Sequence, residues 1–289
     1  MGDLPNNILQ ECQKIVGTKI SAAFPLSGGD INQAFQVNTE RGRFFLKTNT
    51  AAFAGEMFRA EAAGLGILGA ANQIGTPSVI GLGAEVGASF LLLEFIEPGT
   101  RPKTFWDDFG ARLASLHRCT SSSFGLGHDN FIGSLRQQNC EHDTWASFYM
   151  EERLLPQLEL ARASSRLQAS DFQSFQQLFQ RLPGLCPAEP PSLVHGDLWS
   201  GNFACAQDGS PVIFDPAVSY SHREMDLAMT RLFGGFDRAF YQAYEAVWPL
   251  APGFEQRLAV YQLYYLLVHV NLFGGSYVGQ MRSALRQFI

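Results

Sequence analysis

Three oxygen-bearing side chains within one short stretch define the chemistry open to this chain. Residues 193–216 read LVHGDLWSGNFACAQDGSPVIFDP. An apolar run ends in His195-Gly196-Asp197, Asn202 comes five residues after Asp197, and Asp215 ends the β-type run Val212-Ile213-Phe214. A carboxylate base, an amide oxygen and a second carboxylate at this spacing suit one task. They would hold Mg-nucleotide beside a hydroxyl that takes its terminal phosphoryl group. Asp197 then accepts the hydroxyl proton, and Asn202 and Asp215 hold the metal. Mg²⁺ prefers hard oxygens and keeps several waters, so two protein ligands plus phosphate oxygens suffice. H-x-D alone fits a polar turn equally well, because His, Asp and Asn side chains bond nearby backbone. The complete set, with its short hairpin, separates the two readings.

Phosphate also needs positive charge. Lys47 follows the apolar strand residues Phe44-Phe45-Leu46. A lysine there pays a desolvation cost unless an anion meets it. It is either a phosphate ligand or an edge-strand guard against aggregation. The glycine turn Ser27-Gly28-Gly29-Asp30 upstream favours phosphate. On the following helix, Glu61 is placed to fix the ammonium, with Glu56 as the competitor. His195 either braces the loop near Asp215 or bonds a backbone group. Trp199 offers a flat apolar face to a sugar, or packs under the loop. His117 closes an apolar helix, where a C-terminal cap is its expected role.

Residues 17–95 read as five strands and one helix, and the rest as mostly helical, with Gly234-Gly235 and Gly274-Gly275 as punctuation. The expectation is an α+β fold with two lobes. Residues 1–97 would form a nucleotide-binding lobe around an antiparallel five-stranded sheet plus a helix. Residues 98–289 would form a catalytic and substrate lobe carrying the hairpin. Glu94-Phe95-Ile96-Glu97-Pro98-Gly99 would be the hinge, with backbone groups of Glu94 and Ile96 at an adenine edge.

The chain has 289 residues, with 21 Lys plus Arg against 27 Asp plus Glu. A net charge of −6 argues against a nucleic-acid binder, which would be basic. Charged residues make up 17%, below the usual quarter or so, so the chain reads as well packed. MGDLPNNILQ has neither the basic start nor the apolar core of a secretion signal, and Asn6 spoils a myristoylation pattern. The stretch from Leu258 to Phe273 contains Gln262, His269 and Asn271, so it reads as a buried helix rather than a membrane span. Cysteines at 12, 119, 140, 186 and 205 form no C-x-x-C pair. Neither a disulfide framework nor a zinc site is expected, and the location expected is cytoplasmic.

HGDLWSGN…FDP, Phe233-Gly234-Gly235-Phe236, APGFEQRL…YQLY, SGGDINQAF, FLK and EMFRAE together resemble the fructosamine kinase, or ketosamine-3-kinase, family. The resemblance runs from about Ser27 to Arg282 and places the chain in the aminoglycoside-phosphotransferase-like, protein-kinase-like superfamily. It implies ATP-dependent phosphorylation of the 3-hydroxyl of a ketosamine, a sugar joined to an amine or protein lysine by glycation. The phosphorylated adduct falls off, so the family is regarded as a repair system. Carried over, Asp197 matches the catalytic base, and Asn202 and Asp215 the Mg²⁺ ligands. Lys47 and Glu61 match the phosphate lysine and its partner, Gly28 and Gly29 the phosphate loop, and Trp199 the aromatic against the sugar. Asn130 and Arg136 lie where relatives place substrate-lobe residues. Two departures stand out. Asp215-Pro216-Ala217 replaces D-F-G, which argues against a flipping switch, and Asp30 brings negative charge near the phosphate loop. The rivals are a choline, aminoglycoside or thioribose kinase, or a nucleotide-binding scaffold without turnover. Asp129 as the lone acid of the 124–138 loop does not favour a polyamine drug. The protein is expected to act as a monomer or homodimer.

Overall fold

A computed structural model of the chain describes residues 4–26, 31–85 and 87–289; the expected phosphate-loop residues Gly28 and Gly29, and Asp30, lie outside them. In chain order the first elements are α1 (Asn6–Val16), β1 (Ile20–Leu26), β2 (Gln33–Thr39), β3 (Gly42–Asn49), α2 (Ala54–Ala71), β4 (Val79–Glu85) and β5 (Ala88–Glu94). Next come α3 (Phe105–His117), β6 (Asn130–Ile132), β7 (Leu135–Gln137) and α4 (Trp145–Phe148). A π-helical turn, Tyr149–Leu154, leads into α5 (Leu155–Ala163), followed by α6 (Ala169–Leu185). Then follow β8 (Ser192–Val194), β9 (Phe203–Cys205), β10 (Pro211–Ile213), β11 (Ser219–Ser221), α7 (Glu224–Leu232), α8 (Arg238–Val247), α9 (Phe254–Phe273) and α10 (Val278–Leu285). The chain divides into two compact units. One is Met1–Phe105 with Ala204–Asp215, and the other is Trp106–Phe203 with Pro216–Ile289.

The first unit is built on an antiparallel five-stranded sheet in the order β1-β2-β3-β5-β4. Helix α1 shows why it forms. Ile8, Cys12 and Val16 recur every four residues and are buried, and Gly17 ends the helix at φ 66°, the left-handed turn that glycine adopts freely. Side chains alternate across the pleat, so neighbours on one strand face opposite layers. Leu46, Phe90 and Leu92 join Ile8, Cys12 and Val16 of α1 in one core. Leu91 and Leu93 join Phe58 and Leu65 of α2 in the other. A sheet covered on both faces has strands that read as continuous apolar runs, as Phe90-Leu91-Leu92-Leu93 does.

The second unit is mostly helical. Its core gathers Phe148, Tyr149, Leu154, Phe175 and Leu178 around the long helix α9, where Val260 to Val268 is buried on nearly every side. Among the described residues, no helix is long and apolar enough to cross a membrane. Two short pairings were not expected from sequence. Strand β6 pairs with β7 inside what reads as a polar loop, and β8 pairs with β11. Segments of three residues carry no periodic signal, so only tertiary contacts can reveal them.

Candidate active site

Lys47 pairs with Leu91 across β3 and β5, and Leu91 belongs to the core on the α2 side. The alternation that sends Leu46 toward α1 therefore sends Lys47 toward α2. There its Nζ donates to Glu61 Oε1 at 2.7 Å and to Asp215 Oδ1. Glu56, the competing candidate on the same helix, is exposed. Asp215 reaches this point because β10 docks on the loop after α2. Ile213 N–H donates to Gly75 O at 2.9 Å, and Gly75 bridges Val212. The chain then turns at Asp215 with φ 58°, a left-handed conformation in which Asp is tolerated better than most residues.

Burial alone would lower the pKa of Lys47, but the charges of Asp215 and Glu61 and their hydrogen bonds hold it above its ordinary value. Burial pushes Glu61 up to about 7, with Lys47 opposing and Asp215 adding to the rise. Two carboxylates thus share one buried ammonium. The side chain of Asp215 is the most open of the three, at 42% exposed.

In the second unit, the His195-Gly196-Asp197 loop follows β8 and is held by its own backbone. Asp226 on α7 is completely buried and accepts from His195 N–H at 2.7 Å and Gly196 N–H at 2.8 Å. Burial opposes its charge, but the hydrogen bond and charge of His117, with His195 and the Gly196 amide, hold its pKa below the ordinary carboxylate value. His117 is not the C-terminal cap expected at the end of α3. It is fully buried, with Nε2 3.1 Å from Asp226 Oδ2 and Nδ1 2.7 Å from the Tyr244 hydroxyl. A polar His in an apolar helix gave no sign of which way it points, and the buried Asp226 decides it. Gly196 has φ 84°, and a Cβ there would sit 2.0 Å from Ala217 O, so only glycine fits.

His195 is fully buried and its Nδ1 accepts from the backbone N–H of Asp197 at 3.3 Å, the backbone-partner alternative. Asn202 is also buried. Its Nδ2 donates to Asp197 O at 2.9 Å and to Asp197 Oδ2 at 3.2 Å, which leaves its carbonyl oxygen outside these bonds. Trp199 is 39% exposed, which rules out its packing as a core residue. Its ring lies against Gly201, where a Cβ would meet it at 2.3 Å.

The remaining sequence candidates divide. The Glu94 side chain turns to Ser78, accepting from its hydroxyl at 2.8 Å and its N–H at 3.1 Å, and Ile96 follows, half-buried, in irregular backbone. Arg136 is exposed and stacks over Phe131, 5.4 Å from the ring centre. Asn130 is buried and works as a brace. It donates to Val218 O at 2.7 Å and accepts from Gln137 and Asn139 at 2.8 and 3.0 Å. Gln137 also donates to Ala217 O and accepts from the Tyr264 hydroxyl at 2.6 Å. The β6–β7 hairpin therefore pins the segment just past Asp215. Sequence reasoning missed Asp226, Gln137 and Tyr264. The available signal was an acid within the apolar run Met225 to Met229, since a buried carboxylate demands partners.

A sequence model of the fructosamine kinase family matches residues 5–289. A probable ketoamine kinase of Enterococcus faecium is 41% identical over 268 residues, covering 91% of this chain and 94% of that protein. A chloroplastic protein-ribulosamine 3-kinase of Arabidopsis thaliana is 37% identical over 281 residues, covering 94% and 84%. The crystal structure of a candidate fructosamine-3-kinase from Thermobifida fusca superposes with a TM-score of 0.90 at 33% identity, covering 98% and 99%. An aminoglycoside phosphotransferase solved with ADP and hygromycin B has a TM-score of 0.62 at 17% identity, covering 98% and 99%, a likeness of fold alone.

Proposed function

The chain belongs to the fructosamine kinase family, and we propose that it transfers the terminal phosphoryl group of ATP to the 3-hydroxyl of a ketosamine, in the cytoplasm. The observation that carries this reading is the shared ammonium of Lys47, held by Glu61 and Asp215 in a sheet-and-helix unit. A buried cation facing two carboxylates, one of them open to solvent, is suited to phosphate oxygens on one side and a metal on the other. The likeness to a probable ketoamine kinase and a protein-ribulosamine 3-kinase supports the acceptor, and the five free cysteines fit a reducing compartment.

The donor set fits Mg²⁺. The Asn202 carbonyl oxygen and the open Asp215 carboxylate are hard oxygens, and the ion needs few protein ligands. When bound, Mg²⁺ neutralises charge on the phosphates. Asn202 and Asp215 would hold it, Lys47 would take phosphate oxygens, and Gly28 and Gly29 would cover them. Backbone groups of Glu94 and Ile96 would meet the adenine edge.

Asp197 acts on the acceptor. Its Oδ2 is oriented by Asn202, and its loop is anchored by Asp226. The substrate hydroxyl oxygen attacks the terminal phosphorus, the bond to the bridging oxygen breaks, and ADP leaves. Asp197 takes the hydroxyl proton. Trp199, exposed two residues on, faces the apolar side of the sugar. Arg136 is the outer substrate contact, whereas Asn130 supports the hairpin that holds it.

Coupled ADP release against fructosamines, ribulosamines and erythrulosamines tests the reading. Ketosamine-dependent ADP release with a 3-phosphorylated product is expected. Turnover of choline, an aminoglycoside or a thioribose in its place overturns the acceptor assignment. ATP binding with no acceptor turnover overturns the enzyme.

A further inference from the structure

Outside the polar groups already assigned, the second unit leaves a cluster of aromatic rings on its surface. Phe273, the last residue of α9, is 50% exposed, and Phe233, just past α7, is 38% exposed. Between them stands His269, with ring centres 4.8 Å from Phe233, 5.4 Å from Phe273 and 4.9 Å from Tyr277. The His269 Nδ1–H donates to Tyr265 O at 2.7 Å, which fixes the tautomer and leaves Nε2 as an acceptor. Burial also holds its pKa below the ordinary value, so the ring is uncharged at neutral pH. Exposed apolar rings gathered in one place cost solvation and mark binding surfaces.

The chain that carries Phe233 runs on to the catalytic loop. Gly235, two residues past Phe233, has φ 92° and lies against Ser200, where a Cβ would sit 2.6 Å from Ser200 Cβ. Ser200 adjoins the exposed Trp199, two residues from Asp197. A ketosamine has two ends, a polar sugar and the amine carrier attached to it. Trp199 and Asp197 serve the sugar. Beyond its nitrogen the carrier is apolar, because the stem of a lysine or alkylamine is a chain of methylenes.

We propose that Phe233, His269, Phe273 and Tyr277 form a subsite for the alkyl carrier of the ketosamine. This rests on the ketosamine kinase reading above. The sugar alone sets the chemistry, and the rings set which carrier is favoured, long alkylamines over short ones.

The test is a series of adducts of one ketose with methylamine, butylamine and hexylamine. Half-exposed rings give roughly half of full burial, so kcat/KM should rise about twofold per methylene, or about thirtyfold from methyl to hexyl. Phe273→Ala should cut that ratio to about fivefold or less. Phe233→Ala, at a second exposed position, repeats the measurement should the first variant lose its fold. The ratio is read within each variant, so a general loss of activity cancels. A wild-type ratio near one overturns the subsite while leaving the kinase intact, and so does an unchanged ratio in both variants. A wild-type protein that turns over no adduct overturns the function itself. Light scattering supplies the last outcome: a wild-type dimer that Phe273→Ala dissociates assigns the rings to self-association and overturns the subsite.

Discussion

Lys47 and Asp215 lie 168 residues apart in sequence and pair directly through Nζ and Oδ1. The pairing needs no long-range design beyond two local rules. The pleat turns Lys47 toward α2, and the backbone bond from Ile213 to Gly75 brings β10, and Asp215 after it, to the same side. Lys47→Met removes the cation between two carboxylates. Glu61 and Asp215 then face each other without compensation, and incoming phosphate meets negative charge alone. The expected result is a fall in kcat/KM for ATP of about 10²–10³-fold, the range for removing one preorganised charge-stabilising donor. Steady-state kinetics with varied ATP measure it. An unchanged constant would leave Lys47 with a structural role only.

Asp197→Asn keeps the shape of the loop, because the amide can still meet Asn202. It removes the proton acceptor. General-base removal costs about 10²–10⁴-fold in kcat. Nucleotide affinity should stay near that of the wild type, since Asp197 is assigned to the acceptor rather than to ATP. Turnover assays paired with ADP-binding calorimetry decide this. A loss confined to nucleotide affinity would reassign Asp197 to the metal.

Much of this was legible in the residues. The apolar strand before Lys47 and the HGDLWSGN loop are local patterns: the first brings Lys47 to Glu61, and the second brings Asn202 to Asp197. The five strands and α2 follow from period-two and helical runs bounded by glycine. The buried supports were not legible. Asp226, His117 and Tyr244 come from three separate helices, and only the packed core brings them together. Asn130 is a substrate candidate from where relatives place such residues, and a polar loop without periodicity shows nothing of its partners. In the structure the same amide closes a hairpin onto Val218. Trp199 was ambiguous for the opposite reason, since a Trp is equally at home in a core, and its exposure settles that part.

Asp226 offers a sharper test of how the loop is held. Its carboxylate accepts two backbone N–H groups and faces His117, all in the buried core. Hydrogen bonds to a charged acceptor are worth about 1.5–3 kcal/mol each. In Asp226→Asn one donor of the new amide must face an N–H or the His117 ring. Thermal stability should fall, and kcat should fall by more than KM for ATP rises. A loss of stability with kcat fully retained would make Asp226 a fold residue with no part in placing Asp197.

Glu61 links the site to pH. Burial pushes its carboxyl up to about 7, Asp215 adds to the rise, and the shared Lys47 cannot fully offset it. The ordinary value is 4.5, so folding favours the protonated acid. A group raised in the folded state contributes stability that is complete below its unfolded pKa and is lost as pH rises through its folded pKa. Between pH 4.5 and about 7 the nucleotide-free protein should therefore lose stability through this one carboxyl. Glu61→Gln has no proton to release and should lack that component. Melting temperatures of both proteins across this window, without nucleotide or metal, make the comparison. The wild-type curve should fall relative to the variant as pH rises. Parallel curves would mean that Lys47 keeps Glu61 ionised throughout, with the ion pair outweighing desolvation.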